Sequence, residues 1–94
     1  MNPAAYLAEH GHAILQTCRR ELLSQAPRLS TATVERLLRA MDAAALYLAT
    51  DNDPAALTPL EERRALDAAN ALLLVCRWLD LAAAATDLHE TLTA

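Results

Sequence analysis

The stretch Ala71–Leu92, ALLLVCRWLDLAAAATDLHETL, decides how this chain folds, because it reads as helix throughout and carries two apolar sides. A helix packing on one core needs a single stripe at i, i+3, i+4, i+7 with a polar back. Here one stripe runs Leu66, Ala69, Leu73, Cys76, and a second runs Leu74, Trp78, Leu81, Ala85, Leu88, Leu92. The next member of the first series is Asp80, so that stripe falters there. The second starts about 100° round and keeps the 3-4 alternation of a coiled-coil seam. Two expectations compete. Either the helix runs on and its end projects, offering the second stripe to another protein, or it kinks and folds its end home. The alanine run from Ala82 to Ala85 favours helix and hence continuity, although Asp87 and Glu90 have the spacing of a capping box that would restart it.

Working outward, the chain punctuates itself clearly. Asn2-Pro3 supplies a capping residue with proline at the first helical position, and Leu7, Gly11, Ile14, Leu15, Cys18 and Leu22 then line one face until Ala26-Pro27. Helix 1 is expected over about 3–25. Ser30 can cap the next helix, with Leu29 and Val34 placed as a hydrophobic staple. This second helix, about 31–49, presents Val34, Leu37, Leu38, Met41, Ala45 and Leu48 inward. Thr58, Pro59 and Glu61 form a strong start signal for a third over about 59–91. Short connections make neighbours antiparallel. The expected fold is all-α, one helical domain over 1–94: an up-down-up three-helix bundle with an extended C-terminal helix, dimerising. At a rise of 1.5 Å per residue the third helix would be about 50 Å long and outrun its partners.

Composition narrows the chemistry. The chain has 94 residues, 54% of them hydrophobic but only 3% aromatic, with one glycine, no lysine and no phenylalanine, which suits helices packed through small side chains. No phosphate-binding glycine loop, dinucleotide fingerprint or Schiff-base lysine can be assembled from these residues. Arginine as the sole fixed cation, beside so much alanine, suggests a high-GC bacterial coding sequence. A formal net charge of −4 makes a nucleic-acid partner a poor fit. The charge is uneven: Arg19, Arg20, Arg28, Arg36 and Arg39 cluster early, and are candidates for contacts to an acidic partner, whereas Asp42, Asp51, Asp53, Glu61 and Glu62 follow with no base among them. The start of the chain has no signal-peptide pattern and the longest apolar run is too short to span a bilayer, so no membrane role and a cytoplasmic setting are expected.

No catalytic or metal-ligating constellation emerges, and no cofactor is expected. His10 and His12, two apart on a helix, point to different flanks and cannot chelate one ion. The DND of 51–53 lacks the glycine and terminal glutamate of a calcium loop. Cys18 and Cys76 fall at similar depths in helices 1 and 3 and should share a core layer with Leu38, most simply as small buried hydrophobes, with a redox pair as the alternative. What is left over is apolar surface. Leu46 and Tyr47 point away from the inward face of helix 2, and with Leu74, Trp78, Leu81, Leu88 and Leu92 they are the expected interface residues. The reading is a homodimer that also binds another protein, a non-catalytic regulator or adaptor of the small inhibitor or antiactivator type. The alternatives are a small-molecule-sensing bundle with a pocket at the dimer seam, lined by Tyr47, Trp78 and Leu74, and then a nucleic-acid-associated regulator.

Overall fold

A computed structural model describes residues 2–50 and 53–93. Asp51, which belongs to the acidic group and to the DND of the sequence reading, lies outside them. The described residues form four α-helices and no strand: α1 (Pro3–Gln25), α2 (Thr31–Leu48), α3 (Pro59–Trp78) and α4 (Ala82–Thr93), with a 3-10 turn at Ala26–Arg28. Each of the first three starts on a side-chain cap. Asn2 Oδ1 accepts from the Ala5 amide at 2.7 Å, and Ser30 Oγ from that of Thr33 at 3.1 Å. Thr58 and Glu61 close a reciprocal capping box, each side chain accepting from the other's amide. These bonds satisfy amides that the first turn leaves without a partner.

The expected extended helix is not what forms. The helix that begins at Pro59 ends at Trp78, and the chain turns at Asp80, whose φ of 59° places it in the left-handed region. The Leu81 amide donates to the Cys76 carbonyl at 2.8 Å and the Asp80 amide to that of Arg77 at 3.3 Å, which is the paired pattern of a Schellman stop. Glycine normally occupies such a position, but a short polar side chain tolerates it at a modest cost. Gln25, at the end of α1, donates from Nε2 to the Leu79 carbonyl at 3.0 Å and so ties this corner to α1. The break lies well before Asp87, which sits inside α4, where its carbonyl accepts from the Thr91 hydroxyl.

The turn sends α4 back onto α3 and α1, while α2 packs on α1 and α3 from its own side. The starts of α1 and α3 share a groove of about 560 Å³ lined by Asn2, Pro3, Ala4, Glu62, Ala65 and Leu66 among others. Their middles meet where Cys18 Sγ and Cys76 Sγ stand 3.7 Å apart, and their ends meet at the bond from Gln25. Gly11, on α1, lies against the end of α2, where a methyl group in its place would come within 2.6 Å of Leu48 Cδ2. The result is a compact globule, 42 × 22 × 18 Å across its Cα atoms. Its core is built from Leu7, Cys18, Leu37, Ala44, Ala69, Leu72, Val75, Cys76, Leu79 and Leu88, all without meaningful solvent contact. Leu37 is buried as its place on the inward face implies, but Leu38, expected beside it, is 45% exposed. A one-residue step moves a side chain by about 100° around a helix, so Leu38 does not join the cysteine layer.

Candidate functional site

Once α4 is folded home, the second stripe of the opening stretch divides. Leu88 is fully buried, and Leu81, Ala85 and Leu92 pack against the core. These three leucines, expected at an interface, instead close the corner, because the reversal at Asp80 turns their side inward. Leu74 and Trp78 stay outside on α3, 40% and 46% exposed. Leu46 points directly outward from α2 at 73% exposure, whereas Tyr47 is half-buried and packs against the core with its flank toward α3. The expected set is therefore split: Leu46, Leu74 and Trp78 lie on the outer surface of α2 and α3, Tyr47 at its edge, and Leu81, Leu88 and Leu92 within the protein.

Leu60 extends this surface. It is 59% exposed in the first turn of α3, about five whole turns before Trp78 and so on the same line of the helix. The sequence carried that signal, since an apolar residue between a proline and two glutamates has no partner in its own turn. Between the helices, Ala43, Leu46, Tyr47, Thr50, Arg64, Asp67 and Ala68 line an open groove of about 420 Å³. Arg36 shares the α3-facing flank of α2 with Tyr47, about three turns away. The surface thus alternates apolar side chains with arginines and one acid. Leu38 lies on the opposite flank of α2 from Tyr47 and is no part of it.

The five arginines of the basic group are all exposed. Arg19 and Arg20 on α1, Arg28 in the 3-10 turn and Arg36 on α2 gather toward the end of the molecule where α1 gives way to α2. Among the described residues none of them is held in an ion pair; the pairs present are His10 with Glu9 at 3.7 Å and Arg63 with Asp67 at 3.3 Å, both on the surface. Such exposed pairs contribute little to stability. His10 also leans on the Tyr6 ring, with centroids 4.9 Å apart, and His89 Nδ1 lies 3.3 Å from the Arg77 guanidinium. No three His, Cys, Asp or Glu residues among those described converge as they would on a metal ion. No helix of the described residues is long and apolar enough to cross a membrane.

Two buried sites, the Tyr6 phenol and the Cys18–Cys76 thiol pair, have altered acidity. Burial, then the charge of Asp87, raises the Tyr6 phenol above its ordinary value. The hydrogen bond to Cys18, reinforced by burial, pushes the Cys76 thiol far above the ordinary range, while that same bond holds Cys18 below it against the opposing effect of burial. Neither group opens onto the α2–α3 surface. Compared with family models, curated proteins and solved structures, the chain matches none.

Proposed function

We propose that this chain is a non-catalytic, cytoplasmic protein-binding regulator or adaptor that works through the outer surface of α2 and α3. The observation that carries the reading is the contrast in exposure. A fold that buries Leu88 and packs Leu81 and Leu92 against the core by reversing its last helix still leaves Leu46, Leu60, Leu74 and Trp78 in water on one side. Burying each would contribute roughly 1.5 to 3 kcal/mol, and an exposed indole is the side chain most over-represented among interface hot spots. A second copy of the chain is the partner that the charge favours. In an up-down-up order, which the contacts of α1 with α2 and α3 support, Arg19, Arg20, Arg28 and Arg36 lie toward one end and Asp53, Glu61 and Glu62 toward the other. An antiparallel two-fold pair would place each basic end over the other's acidic end.

Photo-crosslinking from a benzophenone side chain at position 46, in the native host, tests the reading. A crosslink to protein that Trp78→Ala abolishes while helicity is retained supports it; no crosslinked protein at all would sink it. Sedimentation at micromolar concentration then separates the partners, since self-association gives about twice the chain mass and weakens with salt. The α2–α3 groove of about 420 Å³ favours one second reading, a small ligand held by Tyr47, Arg64 and Asp67. That reading expects a raised unfolding midpoint with ligand and no change in mass.

A further inference from the structure

The cysteine pair lies outside the α2–α3 surface and calls for its own account. Cys18 and Cys76 have no solvent exposure, and their sulfurs approach to 3.7 Å across the contact between α1 and α3. Nothing polar other than the partner thiol bonds either sulfur among the described residues. They are 58 positions apart in the chain, so the approach is made by the packing of the two central helices and by no local turn. We propose that Cys18 and Cys76 form a thiol oxidation site, which a low-molecular-weight disulfide converts to an intramolecular bond that locks α1 to α3 within the native fold. Only a small closing movement is needed, from 3.7 Å to the roughly 2 Å of an S–S bond.

The chemistry balances as two exchanges. Cys18, the thiol whose ionisation its neighbour favours, loses its proton and attacks one sulfur of the external disulfide. A mixed disulfide forms and one small thiolate leaves. The Cys76 thiolate then attacks the Cys18 sulfur, the mixed bond breaks, and the second small thiolate departs. The protein gives up two electrons and two protons; the external disulfide takes both and becomes two thiols. Full burial means that attack waits on an opening of the α1–α3 contact, so the site reacts slowly and is insulated from casual modification. Cys76 and Trp78, two residues apart, point to opposite sides of α3. The bond therefore changes how firmly the chain is held together and leaves the outer surface unaltered, so the site and the proposed interface can fail separately.

Incubating the purified chain in mixtures of oxidised and reduced glutathione until composition is constant, then denaturing, alkylating and weighing it, tests this directly. With oxidised glutathione in excess, the main product should be a monomer two hydrogens lighter that takes up no alkyl group and yields a Cys18–Cys76 crosslinked peptide. Its unfolding midpoint should exceed that of the reduced chain by about 10 °C. Cys76→Ala should give none of this product. Chains that end reduced, as mixed disulfides with glutathione, or as disulfide-linked dimers would overturn the proposal. So would a linked form that melts no higher than the reduced one, since the bond would then strain the fold.

Discussion

The corner at Asp80 with α4 and the outer surface of α2 and α3 are made of the same material and end differently. Both are runs of leucine and alanine with a few charges. At the corner, a left-handed residue reverses the chain, and Leu81, Leu88 and Leu92 reach the core that α1 and α3 already share. Along α2 and α3 no further helix among the described residues covers Leu46, Leu60, Leu74 and Trp78. Surplus apolar pattern can thus be absorbed by a bend within the chain or left for another molecule. The two cases differ in how a mutation divides its effect between folding and association.

Leu88 gives the largest expected effect. Leu88→Ala removes a fully buried side chain and should lower unfolding stability by about 3 kcal/mol, whereas Leu46→Ala should change it by no more than about 0.5 kcal/mol. Chemical denaturation of the two variants measures both, and similar losses would erase the distinction between the regions. Trp78→Ala comes next: it should cost about 2 kcal/mol or more of association, read by sedimentation, with helical content kept. A fall in the unfolding midpoint of the dilute chain would instead make Trp78 a structural plug. At the corner, Asp80→Gly should stabilise by roughly 0.5 to 1 kcal/mol by relieving the left-handed backbone, and Asp80→Ala should destabilise by about as much. If alanine stabilises, the chain prefers the continuous helix and the corner is the weaker state. The smallest effect is expected at Gly11→Ala. Helix propensity gains about 1 kcal/mol there, but the new methyl displaces the flexible tip of Leu48, so thermal unfolding should show a net change within about 0.5 kcal/mol.

Helix starts were legible because they are local. A cap, a proline and an acid within four residues act on one turn, and Asn2, Ser30 and Thr58 cap as their neighbours imply. The cysteine contact was legible from depth along two helices. The corner was half legible: the inward stripe breaks at Asp80 and the apolar phase shifts there, but local propensity at Ala82–Ala85 pulled the reading toward one unbroken helix. What decides the matter is tertiary. Covering the α1–α3 pair with Leu88 outweighs the strain of one aspartate. Leu37 against Leu38, and the burial of Ala44, were illegible for the same reason. Adjacent apolar positions differ by only 100°, and the direction of the core is set by helices distant in sequence. The site followed suit: three of its expected members depended on the unbroken helix, whereas Leu60 is legible from the helix period alone, on the same line of α3 as Trp78 and about five turns away.

The meeting of α1 with α3 also sets an order of events. Cys18 finds Cys76 only across 58 positions of chain, and the entropy of closing so large a loop must be met before that contact repays it. During synthesis α1 and α2 leave the ribosome first, and the α1 face that ends up around Leu15 and Cys18 has no cover from α3 until that helix is made. The first helix waits for the third. The α2–α3 contact, across the ten residues that join the two helices, closes a far smaller loop than the contact of α1 with α3. Synonymous changes that slow translation between α2 and α3 should therefore lengthen the time for which the oldest apolar face is exposed to chaperones and proteases.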